Sequence, residues 1–344
     1  MRRLLIATVA VFLIATPSVA QSIYIPSNSP SVGACNVIPF GLGFGTSPTW
    51  ANQKYHCMAT AAQLGNKPVL QICDIAFAAC GTGIKHFDTI EIKLAQTSAS
   101  VLSTTFSANM VTNVQTVLSA KDYQWHRTAN TWDRIGFDKS YTYIAGTTPN
   151  LVIQITVTGN KGLTSGARSG NHTENIKRIW ASGWTGAPPA IGRTDGSRQG
   201  GLKFEVVAQM NDVQQFGLGC PGTAGVPTLS FPSGSSAKLG GSLAISVANC
   251  VATTPVLHVL GLTRFGSGID LGIISAPGCK LYETTDVILP GVSNSSGVYS
   301  FQATVPNDTA LICFRIYTQV FPSDTNANGW GRTASNYGRI LPGN

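Results

Sequence analysis

Thirty-seven glycines and eighteen prolines cut this 344-residue chain into short runs rich in Val, Ile, Thr and aromatic residues. Glycine opens backbone angles closed to other residues and proline removes a donor, so each cluster of them ends a helix or a strand. Short β-prone runs between such breaks are the pattern of an all-β protein. The stretch with the best helical pattern, 58–64, has room for one or two turns.

Within the runs, alternation sets the faces. Ile90, Ile92 and Leu94 alternate with Thr89, Glu91 and Lys93, and Leu151, Ile153, Ile155 and Val157 repeat the pattern. Runs 69–78 and 202–208 are more continuously apolar, which predicts central strands. About eight to ten strands fit before residue 217 and about seven or eight after it. The division falls at Phe216-Gly217-Leu218-Gly219-Cys220-Pro221-Gly222, where no helix or strand can continue. The expected architecture is two disulfide-stabilised β-sandwich domains, jelly-roll-like over 21–216 and immunoglobulin-like over 217–344.

Residues 1–20 combine a basic start (Arg2, Arg3), an apolar run over 4–14 and the small residues Ser18, Val19 and Ala20. They read as a secretory signal, with the mature chain starting at Gln21. No later stretch reaches the roughly 18 apolar residues of a membrane helix, so no transmembrane segment is expected and the protein is placed outside the cytoplasm, secreted or at the cell surface. Without Arg2 and Arg3, the 23 basic residues become 21, against 15 acidic. That surplus suits polysaccharide or anionic cell-envelope components as partners. No run of five basic residues exists to hold nucleic acid.

Eight cysteines divide evenly: Cys35, Cys57, Cys73 and Cys80 before the joint, then Cys220, Cys250, Cys279 and Cys313. In an exported chain this predicts disulfides within each half, and each set of four allows three pairings. The Cys-x-x-Cys spacing of a zinc knuckle is missing.

The chemistry-bearing residues are sparse. The sequence has no Gly-x-Ser-x-Gly elbow, and the five histidines are scattered, His258 reading as a structural residue inside an apolar strand. A glycosidase needs two facing carboxylates. The first half offers many, including Asp74, Asp133, Glu174, Asp195, Glu205 and Asp212, and Asp74 stands out inside an apolar run, where a strand residue or buried acceptor is the simpler reading. Asp324, Asn326 and Asn328 begin like a calcium loop, but the twelfth position is Ser335 and not a carboxylate, so a polar hairpin is expected and no cofactor is implied. Tyr123, Trp125, Trp132 and Trp184 are the candidate ligand platform. Sugar C–H faces pack on such rings, whereas the competing role for large aromatics is to fill a core. The sequence therefore predicts a non-enzymatic surface or matrix protein acting by binding or self-association, with carbohydrate binding through those rings as the alternative and polysaccharide hydrolysis as a third reading.

One set of motifs resembles a known family. Gly217-Leu218-Gly219-Cys220-Pro221-Gly222, Pro227-Thr228-Leu229, Leu260-Gly261-Leu262, Ala276-Pro277-Gly278-Cys279, Val305-Pro306-Asn307-Asp308 and Tyr317-Thr318-Gln319 follow one another as in a C-terminal module of exported, β-rich, two-domain proteins of planctomycete-type bacteria. The likeness covers 217–344, and upstream Phe106-Ser107-Ala108-Asn109 and Asn150-Leu151-Val152-Ile153 are similar to the domain that precedes the module. The resemblance implies export and two β domains but no catalytic residues. It also implies a Cys220–Cys279 bond, leaving Cys250 with Cys313 and Cys35, Cys57, Cys73 and Cys80 to pair among themselves. Motion between the halves would then arise at 216–219.

Overall fold

The computed structural model describes residues 21–42, 45–167, 170–173, 175–194, 200–208 and 211–343. The predicted leader, Glu174 and Asp195 lie outside the described residues. The chain is all β: the single α-helix among the described residues is the four-residue Pro48–Ala51. Stretch 58–64 ends a strand and then turns, with the Leu64 amide donating to Thr60 O at 3.0 Å.

The strands that matter below are β1 (Gln21–Ile25), β2 (Gln53–Ala59), β3 (Val69–Ala78), β4 (Gly83–Thr97), β5 (Thr112–Arg127), β6 (Trp132–Arg134), β7 (Asn150–Thr158), β8 (Lys177–Ser182), β9 (Phe204–Ala208) and β10 (Asp212–Phe216). They continue with β11 (Ser242–Ala248), β12 (Pro255–Gly261), β13 (Arg264–Asp270), β14 (Lys280–Glu283), β15 (Val287–Val292), β16 (Tyr299–Thr304), β17 (Ile316–Pro322) and β18 (Tyr337–Leu341).

One long sheet runs under the whole molecule in the order β8-β2-β7-β4-β5-β10-β18-β17-β12-β15. Over its first end lies a five-stranded sheet, β1-β9-β3-β6 with Tyr141–Ile144 also on β3; over its second end lies a three-stranded sheet of Thr228–Ser230, β11 and β16. Alternation produces these layers. Ile90, Ile92 and Leu94 point into the first core while Glu91 and Lys93 stay half-buried, and Leu151, Ile153, Ile155 and Val157 join the same cluster. Leu243, Ile245 and Val247 do the same for the second core. The continuously apolar β3 is central in its sheet, bonded to β9 on one side and to β6 and Tyr141–Ile144 on the other.

The two halves therefore share a sheet. β10, the last strand before the joint, pairs with β18 at the far end of the chain and with β5 through Phe216 and Trp125. The first core extends into Tyr282, Tyr317 and Tyr337 of the second half. The joint itself is held on both sides. Gly217 has φ +69°, and a Cβ there would fall 2.9 Å from the Tyr282 ring, so the close approach needs glycine. Its carbonyl accepts from His126 at 3.0 Å, and the Tyr282 hydroxyl donates to Leu218 O at 3.0 Å. The hinge expected at 216–219 is thus packed and hydrogen-bonded.

The disulfides are Cys35–Cys80, Cys73–Cys313 and Cys220–Cys279, with Cys57 and Cys250 buried as thiols. Two expectations are corrected. Cys313 does not bond Cys250, and Cys73 does not pair within its own half; the two form a bridge spanning 240 positions. The reason is the common sheet, which brings the end of the chain beneath β3, where Cys73, Cys313 and Leu341 pack together. Cys250 is instead sealed in the second core among Leu229, Val247 and Val256. Arg315 braces the bridge, donating to Cys73 O at 2.7 Å, Cys313 O at 3.0 Å and Phe137 O at 2.6 Å.

Candidate functional site

The aromatic platform does not assemble. Tyr123 and Trp125 share the inward face of β5, are 3% and 0% exposed, and donate to Ile135 O and Arg134 O at 2.6 and 2.8 Å. They are core residues, because strand alternation turns this pair inward while Gln124 and His126 take the other face. Trp132 is half-buried beside Tyr24, with ring centroids 5.2 Å apart, and donates to Asn28 Oδ1 at 3.0 Å. Trp184 packs elsewhere, on the cluster of Met58, Leu102, Phe106, Val152 and Ile179.

The calcium-like loop is a closed turn. Asp324 is buried, accepting from the Thr223 amide and hydroxyl at 2.7 and 3.0 Å, and Asn328 accepts from the Trp330 and Gly331 amides. Asn326 is exposed. Among the described residues no group of three His, Cys, Asp or Glu side chains is placed to hold a metal. The other histidine and carboxylate candidates are likewise engaged. His258 is buried between the hydroxyls of Tyr299 and Thr318, at 3.2 and 2.6 Å. Asp74 is fully buried, accepts from the Ile75 and Phe137 amides and pairs with Arg339 at 2.5 Å. Arg339 in turn reaches Asp212 at 3.2 Å, Arg134 lies 3.7 Å from Asp212, and Arg134 bonds Glu205.

What the fold does build is a cleft on the seam. Among the described residues β5 and β10 pair through Phe216 and Trp125 alone, and beyond that point the strands part. His126, Arg127 and Thr128 then form one wall and Val213, Gln214 and Gln215 the other. Thr82, Gly83 and Ile84 follow from register, since Gly83 lies opposite Arg127 and Ile84 opposite His126. Asp133 closes the cleft from the facing sheet and Phe231 from the second half. The cavity measures about 490 Å³, within the range of small-molecule sites.

Its polar groups are strongly influenced by burial. The Arg127 guanidinium lies over the Trp125 ring at 4.6 Å and 5.9 Å from the Phe40 centroid. Burial brings its pKa down to about 10, against the opposing pull of Asp133. Lys85, opposite Trp125 on the same face, donates to Leu42 O; burial and then the repulsion of Arg127 bring its ammonium to about 7. Asp133 accepts from the Thr128 amide at 3.0 Å and the Thr131 hydroxyl at 2.8 Å, and burial raises its pKa despite those bonds. Burial also lowers the pKa of His126, whose Nε2 carries the proton because its partner, Gly217 O, can only accept. Gln214 donates to Arg134 O at 2.9 Å, the same carbonyl that Trp125 uses.

This arrangement offers fixed donors and acceptors beside one aromatic ring, with a single carboxylate, Asp133, in the lining. Asp133 was visible in the sequence only as one of the many carboxylates of the first half, and His126 only as one of five scattered histidines. Arg127, Gln214 and Phe231 carried no signal, because they meet only where two strands diverge.

No family model matches the chain, and no curated protein does. Among solved structures, the GH2 beta-galacturonidase from Eisenbergiella tayi bound to galacturonate aligns at 9% identity and a TM-score of 0.20. The alignment covers 92% of this chain and 42% of that one, so the chain spans less than half its length. At that level of similarity nothing transfers from it. Among the described residues no helix is long and apolar enough to cross a membrane. The three disulfides are consistent with a place outside the cytoplasm.

Proposed function

We propose that this chain is an exported, non-enzymatic surface or matrix protein that acts by binding, and that the cleft on the seam takes a hydroxyl-rich ligand of the saccharide class. Membership of the exported planctomycete-type family belongs to the same proposal. The observation that carries it is the convergence of Arg127, Asp133, Gln214, Gln215 and Phe231 from both halves on one cavity. Sugar hydroxyls need paired donors and acceptors, and a partly exposed aromatic ring suits the C–H face between them. A rigid frame adds to this: the shared sheet and the Cys73–Cys313 bridge hold the walls in place before any ligand arrives. The test is a calorimetric or array screen of soluble oligosaccharides against the mature chain. Saturable binding that weakens at least tenfold in Phe231→Ala and Gln214→Ala supports the reading, and silence across a broad panel ends it.

Self-association is the second reading, favoured by β15. This strand ends the common sheet, and Val287, Ile288 and Val292 are 47%, 52% and 61% exposed on it. Open edge strands invite pairing, although Pro290 removes one donor from this edge. Light scattering across a concentration series decides: a monomer at every concentration excludes assembly through the chain alone.

A further inference from the structure

A second cavity lies near the β15 end of the common sheet and shares no lining residue with the cleft. Its floor is one face of that sheet. Leu257 stands opposite Phe321 of β17, and Val259 opposite Ile288 of β15, so these four side chains point the same way. Leu271 of the 3-10 turn Leu271–Ile274, Leu281 of β14 and Trp330 complete the walls. Phe321 and Trp330 meet edge to face, with centroids 5.6 Å apart and planes at 69°. The volume is about 210 Å³, and the surface turned toward it is hydrocarbon.

The walls are held apart by bonds outside the cavity. The Cys220–Cys279 disulfide and the Leu271 amide, which donates to Cys279 O at 2.9 Å, anchor the 3-10 turn. Asn328 fixes Trp330: it accepts from the Trp330 and Gly331 amides at 3.1 and 3.0 Å and donates to Arg332 O at 2.6 Å. Because β15 ends the sheet, no further strand among the described residues covers the Ile288 side. Ile288 and Ile274, which both line the cavity, are 52% and 42% exposed and form its mouth.

We propose that this cavity is a binding site for a small, free aromatic hydrocarbon of one ring. Its volume is of the order of the roughly 150 Å³ at which an apolar protein cavity takes up a single benzene molecule. A hydroxyl or charge brought inside would give up water for a wall without hydrogen-bond partners. Aromatic rings also favour edge-to-face contact, and the Phe321 and Trp330 pair offers that contact to a third ring. The site goes beyond the saccharide reading and does not depend on it.

NMR titration of the mature chain with toluene and with hydroquinone tests this. Toluene is expected to bind saturably, with a dissociation constant of about 1 mM or tighter. It should also shift the Trp330 indole N–H signal, which Trp330→Phe identifies by its loss. Hydroquinone carries a hydroxyl at each end of its ring, so one of them must enter the cavity, and it should bind at least about tenfold more weakly. Ile274→Trp, a change at an exposed position, sets a larger ring across the mouth and should weaken toluene binding by about tenfold or more. Leu281→Phe fills the cavity from within and should do the same. Absence of saturable toluene binding to the wild-type chain overturns the proposal. So does binding that leaves the Trp330 signal in place or persists in both variants, because the ring then sits elsewhere. Equal binding of hydroquinone overturns it as well, since a hydrocarbon wall has nothing to hold a buried hydroxyl.

Discussion

Cys73 and Cys313 are bonded although 240 positions separate them, and the bond ties β3 of the facing sheet to the segment just before β17. It closes a loop of 240 positions, well over half of the 344-residue chain, so its loss should lower stability by about 3–5 kcal/mol. The Cys73→Ser, Cys313→Ser double variant is expected to unfold at a correspondingly lower denaturant midpoint. A non-reducing peptide map should join these two cysteines and leave Cys57 and Cys250 to react with alkylating agents only after denaturation. Recovery of a Cys250–Cys313 peptide would refute the arrangement.

Trp125 separates a core role from a ligand role. Its ring is fully buried against Phe40 and Phe77, so Trp125→Ala should cost about 3–5 kcal/mol in chemical denaturation. A variant of wild-type stability would show that the ring is not part of the core.

Arg339 sits between two carboxylates, Asp74 and Asp212, and is itself buried. Replacing it by Met leaves the fully buried Asp74 without its cation and should destabilise the fold by about 3–5 kcal/mol. Pairing Arg339→Met with Asp74→Asn is expected to recover part of that loss, because the uncompensated charge is gone. A double-mutant cycle by urea unfolding measures the recovery; strict additivity would exclude the coupling.

His56 and His258 predict acid sensitivity. Burial holds both near a pKa of about 4, against 6.5 for a free imidazole. Between those values the unfolded chain binds more protons than the native one. Stability is therefore full above about pH 6.5 and falls as pH drops toward 4, by on the order of 2–3 kcal/mol for each ring. Thermal midpoints across that window should decline, and His258→Gln should make the decline shallower.

Glu283 works in the opposite direction. It is fully buried, neither carboxyl oxygen has a partner among the described residues, and burial raises its pKa well above the usual carboxylate range. The native state keeps a proton that the unfolded chain releases above about pH 4.5, so this contribution is complete at low pH and is lost as pH rises. Glu283→Gln should remove that slope and raise stability at pH 8 by about 1–3 kcal/mol. An unchanged profile would mean the carboxyl has found a partner.

Alternation and punctuation are local properties, and they made the β class and most strands legible. Ile90, Ile92 and Leu94 had to face one way whatever they packed against, and β3 was continuously apolar because both its faces are covered. The reading of Asp324 to Asn328 as a turn and of His258 as structural likewise needed only near neighbours. Partners distant in sequence were decided by tertiary structure. No strand lies at 217–222, yet β10 just before it bonds β18, and that pairing runs one sheet through both halves of the all-β fold, which no local pattern records. The same pairing set Cys73 beside Cys313 and left Cys250 unbonded, which no count of cysteines could foresee. It also opened the cleft: Arg127, Gln214 and Phe231 are unremarkable one by one and become a site only where β5 and β10 part, because a cavity is made by strands that stop pairing and hydrophobic periodicity records only how strands face a core.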